Sequence, residues 1–207
     1  MLRPSHSAGA GFSILELMVT LTIVGLTLVM AIPAFGRWSA DAHTRTAAED
    51  LTNAIRLTQS TAIARGRVGL FALTNATPPV VGSTPADNGS NWFAALNPLG
   101  GPAGGSIETA ASMDLLLKST EGTQHRVTIT GPALLCFSSL GRQTSLAGSD
   151  TSMGVSCTAS ASDAAPTTYN VAQASATRQF NVVVYPGGRV RMCDAAKTLS
   201  SSNPDGC

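Results

Sequence analysis

The stretch GFSILELMVTLTIVGLTLVMAIPAF, residues 11–35, decides how the rest of the chain is interpreted. From Phe12 to Phe35 it contains 24 residues, almost all apolar. As a helix this segment would be about 36 Å long, enough to cross the hydrocarbon core of a bilayer. One carboxylate, Glu16, interrupts the segment near its start. A charge buried in lipid costs several kcal/mol and usually has a partner or a function, so Glu16 requires an explanation.

Two simple explanations of this segment leave something out. A cleaved secretory signal has an apolar core of only about 7–15 residues, and cleavage near Ala31 would place Pro33 awkwardly close to the cut. A plain single-pass anchor fits the length but gives Glu16 no role. In either case the short, slightly basic residues 1–11 favour an N-terminus that stays in the cytoplasm.

The same segment resembles the class III signal of type IV pilins and type II secretion pseudopilins: glycine, then phenylalanine, then a lone glutamate inside an apolar run. The resemblance implies that a prepilin peptidase cuts between Gly11 and Phe12 and that the new N-terminus at Phe12 is N-methylated. It also implies that Glu16 neutralises the N-terminal amine of a neighbouring subunit during filament assembly. A free α-amine is charged at neutral pH, so pairing it with a carboxylate offsets the cost of burying either group alone.

An amphipathic helix is predicted to continue beyond the apolar segment. Apolar residues recur every three or four positions, and Arg65 with Gly66 predict the helix end. A helix over residues 13–65 would be about 80 Å long unless Pro33 breaks it. The predicted core-facing side contains Phe35, Trp38, Ala42, Ala48, Leu51, Ile55, Ala62 and Ile63, and the predicted polar side contains Arg37, Asp41, Arg45, Glu49, Asn53 and Arg56.

Short β-type runs follow Gly66, separated by clusters of Gly, Pro, Asn and Ser. The α+β chain is therefore divided into a leader (1–11), a transmembrane and assembly helix (12–36), an amphipathic helix half (37–66) and a β-rich globular domain (67–207). Strands are predicted over 67–73, 91–96, 113–118, 125–130, 133–137, 180–185 and 189–193, with loops over 75–90 and 97–112, and with loops and room for one more strand over 141–178.

The second half resembles one branch of the same family, the GspH/FimT-type minor pilins and pseudopilins. The resemblance rests on residues 54–73, 137–142 and 180–193, and it covers nearly the whole chain except the long loops. It implies a long helix packed on an antiparallel β-sheet domain, in a minor subunit at or near the fibre tip. A FimT/FimU-like pilin that initiates or caps a pilus and a GspH-type pseudopilin of type II secretion both remain open. So does a signal-anchored binding module that never assembles.

Two arginines close to the C-terminus are candidates for DNA binding. Pro186 and Gly187 predict a type II turn, after which Arg189 and Arg191 would share one strand face about 6.6 Å apart. With Gly188 they resemble the GRxR motif of FimT-type pilins that bind DNA during natural transformation. Such a pair can contact successive phosphates without reading bases, weakly and with strong salt dependence. Arg178 and Lys197 would add to the patch and Asp194 and Asp205 would offset it, while the simpler interpretation is a solvated strand face.

Four cysteines indicate two disulfides in an oxidising compartment, because none forms a CxxC pair or has a histidine at metal-ligand spacing. Three pairings are possible. Cys136–Cys157 and Cys193–Cys207 are favoured because each closes a local loop rich in small and polar residues, and the alternative is four reduced side chains.

The overall composition and charge do not predict a particular partner. Net charge is +1 and charged residues make up 12%, so any attraction to nucleic acid must be local. No sequence motif of an enzyme is present, and we expect no metal and no cofactor. The expected partners are major and minor pilins, prepilin peptidase, the bacterial inner membrane and DNA. The globular domain is expected in the periplasm before assembly into the tip.

Overall fold

The computed structural model describes residues 12–97, 114–119, 127–147 and 153–207. Gly11 and the rest of the predicted leader, and nearly all of the predicted loop 97–112, lie outside the described residues. One helix precedes eight strands: α1 (Ile14–Arg65), β1 (Gly69–Thr74), β2 (Asn91–Leu96), β3 (Leu115–Lys118), β4 (Val127–Thr130), β5 (Leu134–Phe137), β6 (Thr167–Gln173), β7 (Phe180–Val184) and β8 (Val190–Asp194).

Helix α1 is a single element of 52 residues, about 78 Å long, and it runs through position 33 without a break. It begins where the Ser13 Oγ accepts a hydrogen bond from the Leu15 N–H at 3.3 Å. It ends at Gly66, which has φ 63° and donates its N–H to the carbonyls of Ala62 and Ile63. Only glycine adopts that left-handed conformation without a steric penalty, so Gly66 fixes the helix end.

The two halves of α1 have different surroundings. The described side chains of the first half are exposed, and the first of the described side chains to be buried is that of Ala40. Within α1, an apolar window near the N-terminus is long and hydrophobic enough to cross a membrane, and none of that window is buried by the protein itself. The second half packs on the strands through a stripe of mostly small residues. That stripe is Ala40, Thr44, Ala48, Leu51, Ile55, Thr58 and Ala62.

The predicted core-facing side of the second half was partly wrong. Ala48, Leu51, Ile55 and Ala62 are buried as predicted, but four other members of that side are exposed. Threonines take three of the other buried positions, because each hydroxyl donates to the carbonyl four residues earlier and so needs no water. The exposed members are Phe35, Trp38, Ala42 and Ile63, and the buried threonines are Thr44, Thr52 and Thr58.

The strands form two four-stranded sheets, with orders β3-β2-β1-β5 and β4-β6-β7-β8. All of their pairings are antiparallel. The main core lies where α1 meets both sheets, and Phe71 of the first sheet contacts Tyr169 of the second edge-on with ring centroids 5.6 Å apart. A smaller core covers the other face of the first sheet and includes Cys136 and Cys157.

The α+β class and the packing of a long N-terminal helix on antiparallel strands are confirmed. Each of the seven predicted strands has a counterpart, although the predicted segments 113–118 and 125–130 begin outside the described residues. The additional strand within 141–178 is β6. Both disulfides favoured above are formed, Cys136–Cys157 and Cys193–Cys207.

Candidate functional sites: the exposed helix and the C-terminal hairpin

The N-terminal end of α1 presents its side chains to the surroundings. Phe12 is 83% exposed, and Glu16 lies in the first helical turn with its side chain also exposed. A carboxylate in the first turn interacts favourably with the positive end of the helix dipole. No ion pair involves Glu16 within the part of the chain that the structure describes. Glu16 therefore remains available to a group from another molecule.

The exposed surface of the first half of α1, on which Glu16 lies, is mostly apolar. Exposed apolar patches larger than a few hundred Å² are rare on soluble monomers and mark membrane or protein contacts. The threonines within the segment donate to carbonyls of α1 itself, so they leave no hydroxyl in need of water. The large exposed apolar residues here are Phe12, Ile14, Leu15, Leu17, Met18, Val19, Leu21, Ile23, Val24, Leu26, Leu28, Val29, Ile32, Phe35 and Trp38.

The GRxR segment lies in the hairpin between β7 and β8. The turn of this hairpin differs from the predicted type. The Gly188 N–H donates to the Tyr185 carbonyl at 2.8 Å, so Pro186 and Gly187 are the central turn residues as predicted. However, the positive φ belongs to Gly188 (93°) and not to Gly187, which a type II turn would require. The Tyr185 N–H also donates to the Arg189 carbonyl at 2.9 Å. This is a three-residue hairpin loop closed by a left-handed glycine.

Gly188 is held in a tight contact that sequence reasoning missed. A Cβ atom at Gly188 would overlap the Gly141 carbonyl oxygen and the Nε2 atom of Gln59. Gln59 of α1 donates that Nε2 to the Gly141 carbonyl at 2.6 Å, and Gln143 donates its N–H to the Pro186 carbonyl at 3.1 Å. The helix, the segment 137–142 and the hairpin turn therefore meet at one point, which accounts for the glycine of the GRxR segment by packing.

Arg191 is occupied by the C-terminal tail. Its guanidinium Nη2 donates to the carbonyls of Pro204 and Gly206 at 2.9 and 2.7 Å. The disulfide Cys193–Cys207 and the Asp194 N–H, which donates to the Asp205 carbonyl at 2.7 Å, hold the same tail against β8. Arg191 thus connects the last strand to the C-terminus.

The other two predicted cations have carboxylate partners. The Arg178 Nη2 lies 2.7 Å from the Asp194 Oδ2, and the Lys197 Nζ lies 2.5 Å from the Asp205 Oδ2. Burial works to raise the pKa of Asp194, but hydrogen bonds from Arg178 and the Ala196 N–H, together with the charges of Arg178 and Lys197, outweigh it and the pKa is lowered. The hydrogen bond from Lys197 lowers the pKa of Asp205. Each pair cancels much of the local positive charge, as the sequence analysis anticipated for these two carboxylates.

Arg189 differs from these three cations. Its side chain is exposed, and its guanidinium carbon lies 3.9 Å from the centroid of the Tyr185 ring. The register pairs Val183 with Arg191 and Val184 with Val190, and the valines Val184 and Val190 belong to the main core. Arg189 and Arg191 consequently share the face of the hairpin that points away from the core, as predicted. Of the four cations considered for DNA binding, however, only Arg189 presents its charge outward without a carboxylate or carbonyl partner among the described residues.

No group of three or more His, Cys, Asp or Glu side chains that could hold a metal ion occurs within residues 12–97, 114–119, 127–147 and 153–207. The tyrosine beneath Arg189 and the glutamine that meets Gly141 were not identified from the sequence. A tyrosine four residues before an arginine across a hairpin turn is a signal that could have revealed the first, whereas the second depends on tertiary contact.

Comparisons with known proteins give a single type of match. No protein-family model matches the chain, and no curated protein matches it. Two solved structures are similar to it. This chain is similar to the type IV minor pilin FimU of Pseudomonas aeruginosa. One crystal form is 17% identical with a TM-score of 0.41, and the other is 13% identical with a TM-score of 0.42. Each match covers 74% of this chain, and they cover 94% and 90% of the FimU chains respectively.

Proposed function

We propose that this chain is a minor type IV pilin of the FimT/FimU kind that helps to initiate or cap pilus assembly. The observation that carries the proposal is the division of α1. Its first half is exposed and mostly apolar at the positions whose side chains the structure describes, and it bears Glu16 four residues after Phe12, while its second half is packed into the β-rich domain. The first half therefore needs an apolar environment that the chain itself does not supply.

Two environments supply this apolar contact, one before filament assembly and one after it. In the first, the helix lies in the bacterial inner membrane as a single-pass anchor with the globular domain in the periplasm. Two disulfides fit such an oxidising compartment. In the second, prepilin peptidase cuts between Gly11 and Phe12, the new N-terminus is methylated, and the helix packs among those of other minor and major pilins. The charged amine at Phe12 of one subunit then meets the Glu16 carboxylate of its neighbour, and each compensates the other's burial.

Gene deletion with complementation tests the proposal and separates it from the GspH-type alternative. Surface pili, transformation with added DNA and export of secreted proteins are scored separately in the same strains. A minor pilin predicts loss of pili with normal protein export. Normal piliation with a defect in protein export would instead support a pseudopilin of a type II secretion system. If pili and export are both unaffected, an anchored binding module that never assembles becomes the better account.

A second candidate function, DNA binding, is favoured by one observation, the exposed Arg189 above the Tyr185 ring. A guanidinium supported by an aromatic ring can contact a backbone phosphate. One such cation gives weak binding that falls with rising salt. Since Arg191 and Lys197 are engaged within the domain, Arg189 rather than the complete GRxR set would carry the contact.

An electrophoretic mobility shift with the full chain in detergent tests this second function. The Arg189→Gln variant should lose most of the shift, and Lys197→Gln, which removes a cation already paired with Asp205, is the matched control and should change it little. An equal shift for wild type and Arg189→Gln would rule out Arg189 as the DNA contact.

A further inference from the structure

Two aromatic side chains lie at the boundary between the halves of α1. Phe35 and Trp38 are three residues apart on one side of the helix, and their ring centroids are 5.7 Å apart at an interplanar angle of 43°. Each is 67% exposed. They follow the apolar segment directly, and Arg37 between them is also exposed. Neither ring belongs to the core of the domain.

The globular domain begins within one helical turn of this pair. Ala40 is buried, and the Asp41 carboxylate accepts hydrogen bonds from the Thr177 N–H at 2.6 Å, the Thr177 hydroxyl at 2.7 Å and the Arg178 N–H at 3.0 Å. These bonds fasten the loop between β6 and β7 to the helix. Because the helix is continuous from Trp38 to Asp41, the position of Trp38 sets the position of the whole domain along the helix axis.

We propose that Phe35 and Trp38 form an anchor in the periplasmic headgroup layer of the membrane, which fixes how deeply α1 is inserted before assembly. Aromatic side chains with a polar edge are enriched at the two interfaces of a bilayer, because the ring contacts the acyl chains while the indole N–H reaches water or headgroups. Arg37 can extend its guanidinium to lipid phosphates from the same height. The inference rests on the proposed membrane-inserted state.

A lipid surface is the occupant that the continuity of the helix favours. The exposed apolar surface reaches from Phe12 to Trp38, every side chain that the structure describes in this range is exposed, and the surface ends where the domain starts. From Phe12 to Phe35 the helix rises about 35 Å, slightly more than the roughly 30 Å of a hydrocarbon core. The aromatic pair therefore falls at the far boundary of the bilayer when Phe12 lies in the headgroup layer on the near side.

The anchor also gives a physical account of Glu16 in the membrane. Between Glu16 and Trp38 the helix rises about 33 Å, close to one hydrocarbon thickness. When Trp38 is held in the periplasmic headgroups, Glu16 reaches the cytoplasmic boundary, where its carboxylate can stay hydrated. The aromatic pair thus acts as a depth stop that keeps Glu16 out of the hydrocarbon centre until assembly.

Fluorescence quenching in vesicles tests the depth of Trp38. The full chain carrying Trp92→Phe has Trp38 as its single tryptophan, and it is reconstituted into phosphatidylethanolamine–phosphatidylglycerol vesicles. Lipids brominated close to the headgroup should quench Trp38 at least twofold more than lipids brominated close to the chain ends. The matched control is Trp38→Phe, which leaves Trp92. That residue is 5% exposed within the domain and should be quenched by neither lipid.

Different outcomes distinguish the inference from the proposed function. If the wild-type chain fails to float with the vesicles, the membrane-inserted state is wrong and the proposed function fails with it. If the chain floats but Trp38 is quenched equally by both lipids, or by neither, the anchor alone is wrong. Quenching that disappears as the protein-to-lipid ratio rises would show that another subunit covers the rings, and it would also overturn the anchor.

A second measurement tests the depth stop from the other end of the helix. A nitroxide label at Leu17→Cys, beside Glu16 and 57% exposed, reports contact with an aqueous nickel chelate. The added change Trp38→Leu with Phe35→Leu should change that contact at least twofold, because the helix is no longer held at one depth. Unchanged accessibility in the double variant would contradict the depth stop.

Discussion

Two segments of this chain resemble motifs of the same family, but they are used differently in the fold. Around Glu16 the side chains are exposed and make few contacts with the rest of the chain. In the hairpin at residues 188–191, the side chains or backbone are largely engaged within the domain: Gly188 against Gly141, Val190 in the core and Arg191 on the C-terminal tail. Only Arg189 points outward.

This difference shows that a sequence resemblance alone does not distinguish a residue that binds a partner from one that stabilises the fold. Glu16 has a functional interpretation because it forms no ion pair within the part of the chain that the structure describes. Gly188 and Arg191 already have a sufficient structural reason, so their presence does not require a ligand. Variants at these positions should therefore fail in different ways, one group in assembly and the other in stability.

The largest expected effect is that of Glu16→Ala on assembly. Removing one member of a buried ion pair leaves an uncompensated charge and costs about 3–5 kcal/mol, so the amount of chain in sheared filaments should fall at least about tenfold. The amount in the membrane should stay the same, because an apolar side chain is at least as soluble in lipid. Immunoblots of the two fractions measure this.

Thr20→Ala is the control for Glu16→Ala, one helical turn further along the exposed segment, and it should assemble normally. Normal filament incorporation of the Glu16→Ala chain would show that the carboxylate has no role in assembly. The contrast between Glu16 and the structural residues of the hairpin would then be wrong.

Gly188→Ala should give the largest loss of stability. A methyl group there would overlap the Gly141 carbonyl and force a non-glycine residue to adopt φ 93°, so we expect a loss of about 3 kcal/mol or more. Urea unfolding of the full chain in detergent, followed through Trp92, measures it. At the neighbouring Gly187 a Cβ meets nothing within 4 Å, so Gly187→Ala should change stability far less. Equal effects of the two variants would refute the tight contact.

Arg191→Ala should destabilise the chain by about 1–3 kcal/mol, because the carbonyls of Pro204 and Gly206 lose a charged donor. Arg189→Ala, which removes an exposed contact with Tyr185, should cost less than about 1 kcal/mol. The same unfolding assay compares the pair directly. A larger loss of stability for Arg189→Ala than for Arg191→Ala would contradict the assignment of Arg191 as the structural arginine and Arg189 as the one available to a ligand.

The smallest effect concerns Asp41 and acid. The hydrogen bond from the Thr177 hydroxyl leads the interactions that lower the pKa of Asp41, so the folded state binds fewer protons than the unfolded state. Its contribution is present above the unfolded pKa of about 3.9 and is lost as pH falls through the lowered folded value. Asp41→Asn should therefore cost under about 1 kcal/mol at pH 7 and flatten the loss of stability below pH 4.

Asp50→Asn serves as the opposite case for Asp41→Asn, because burial, with the charge of Glu49, raises the pKa of Asp50. Its folded state binds protons more readily than the unfolded state, so removing the charge should slightly stabilise the chain at pH 7. If the stability of the two variants changed with pH in the same way, the opposite pKa shifts assigned to Asp41 and Asp50 would be contradicted.

The sequence predicted elements better than their arrangement. Strand β2 matches its predicted run, 91–96, because a short and largely apolar run is bounded by turn signals. Strand β6 lies in a weakly patterned stretch, since only Tyr169 and Val171 of its seven residues are buried and the others are polar or small. The division into two sheets depends on contacts between distant segments, which local periodicity does not contain.

The same limit applies to the functional residues. Glu16 could be identified because an isolated carboxylate in an apolar segment is costly wherever the segment lies. The engagement of Arg191 with Pro204 and Gly206 could not, because it depends on where a disulfide brings the C-terminal tail. Trp38 was assigned to the core from its helical spacing, but the true stripe includes threonines whose hydroxyls bond to the helix itself.

The central claim, that the exposed half of α1 is a processed assembly segment, is tested most directly by mass spectrometry of the chain recovered from sheared filaments. The account predicts an N-terminal peptide that begins with N-methylated Phe12 and contains Glu16. A chain that still begins at Met1, or that is absent from filaments and present only in the membrane, would contradict it.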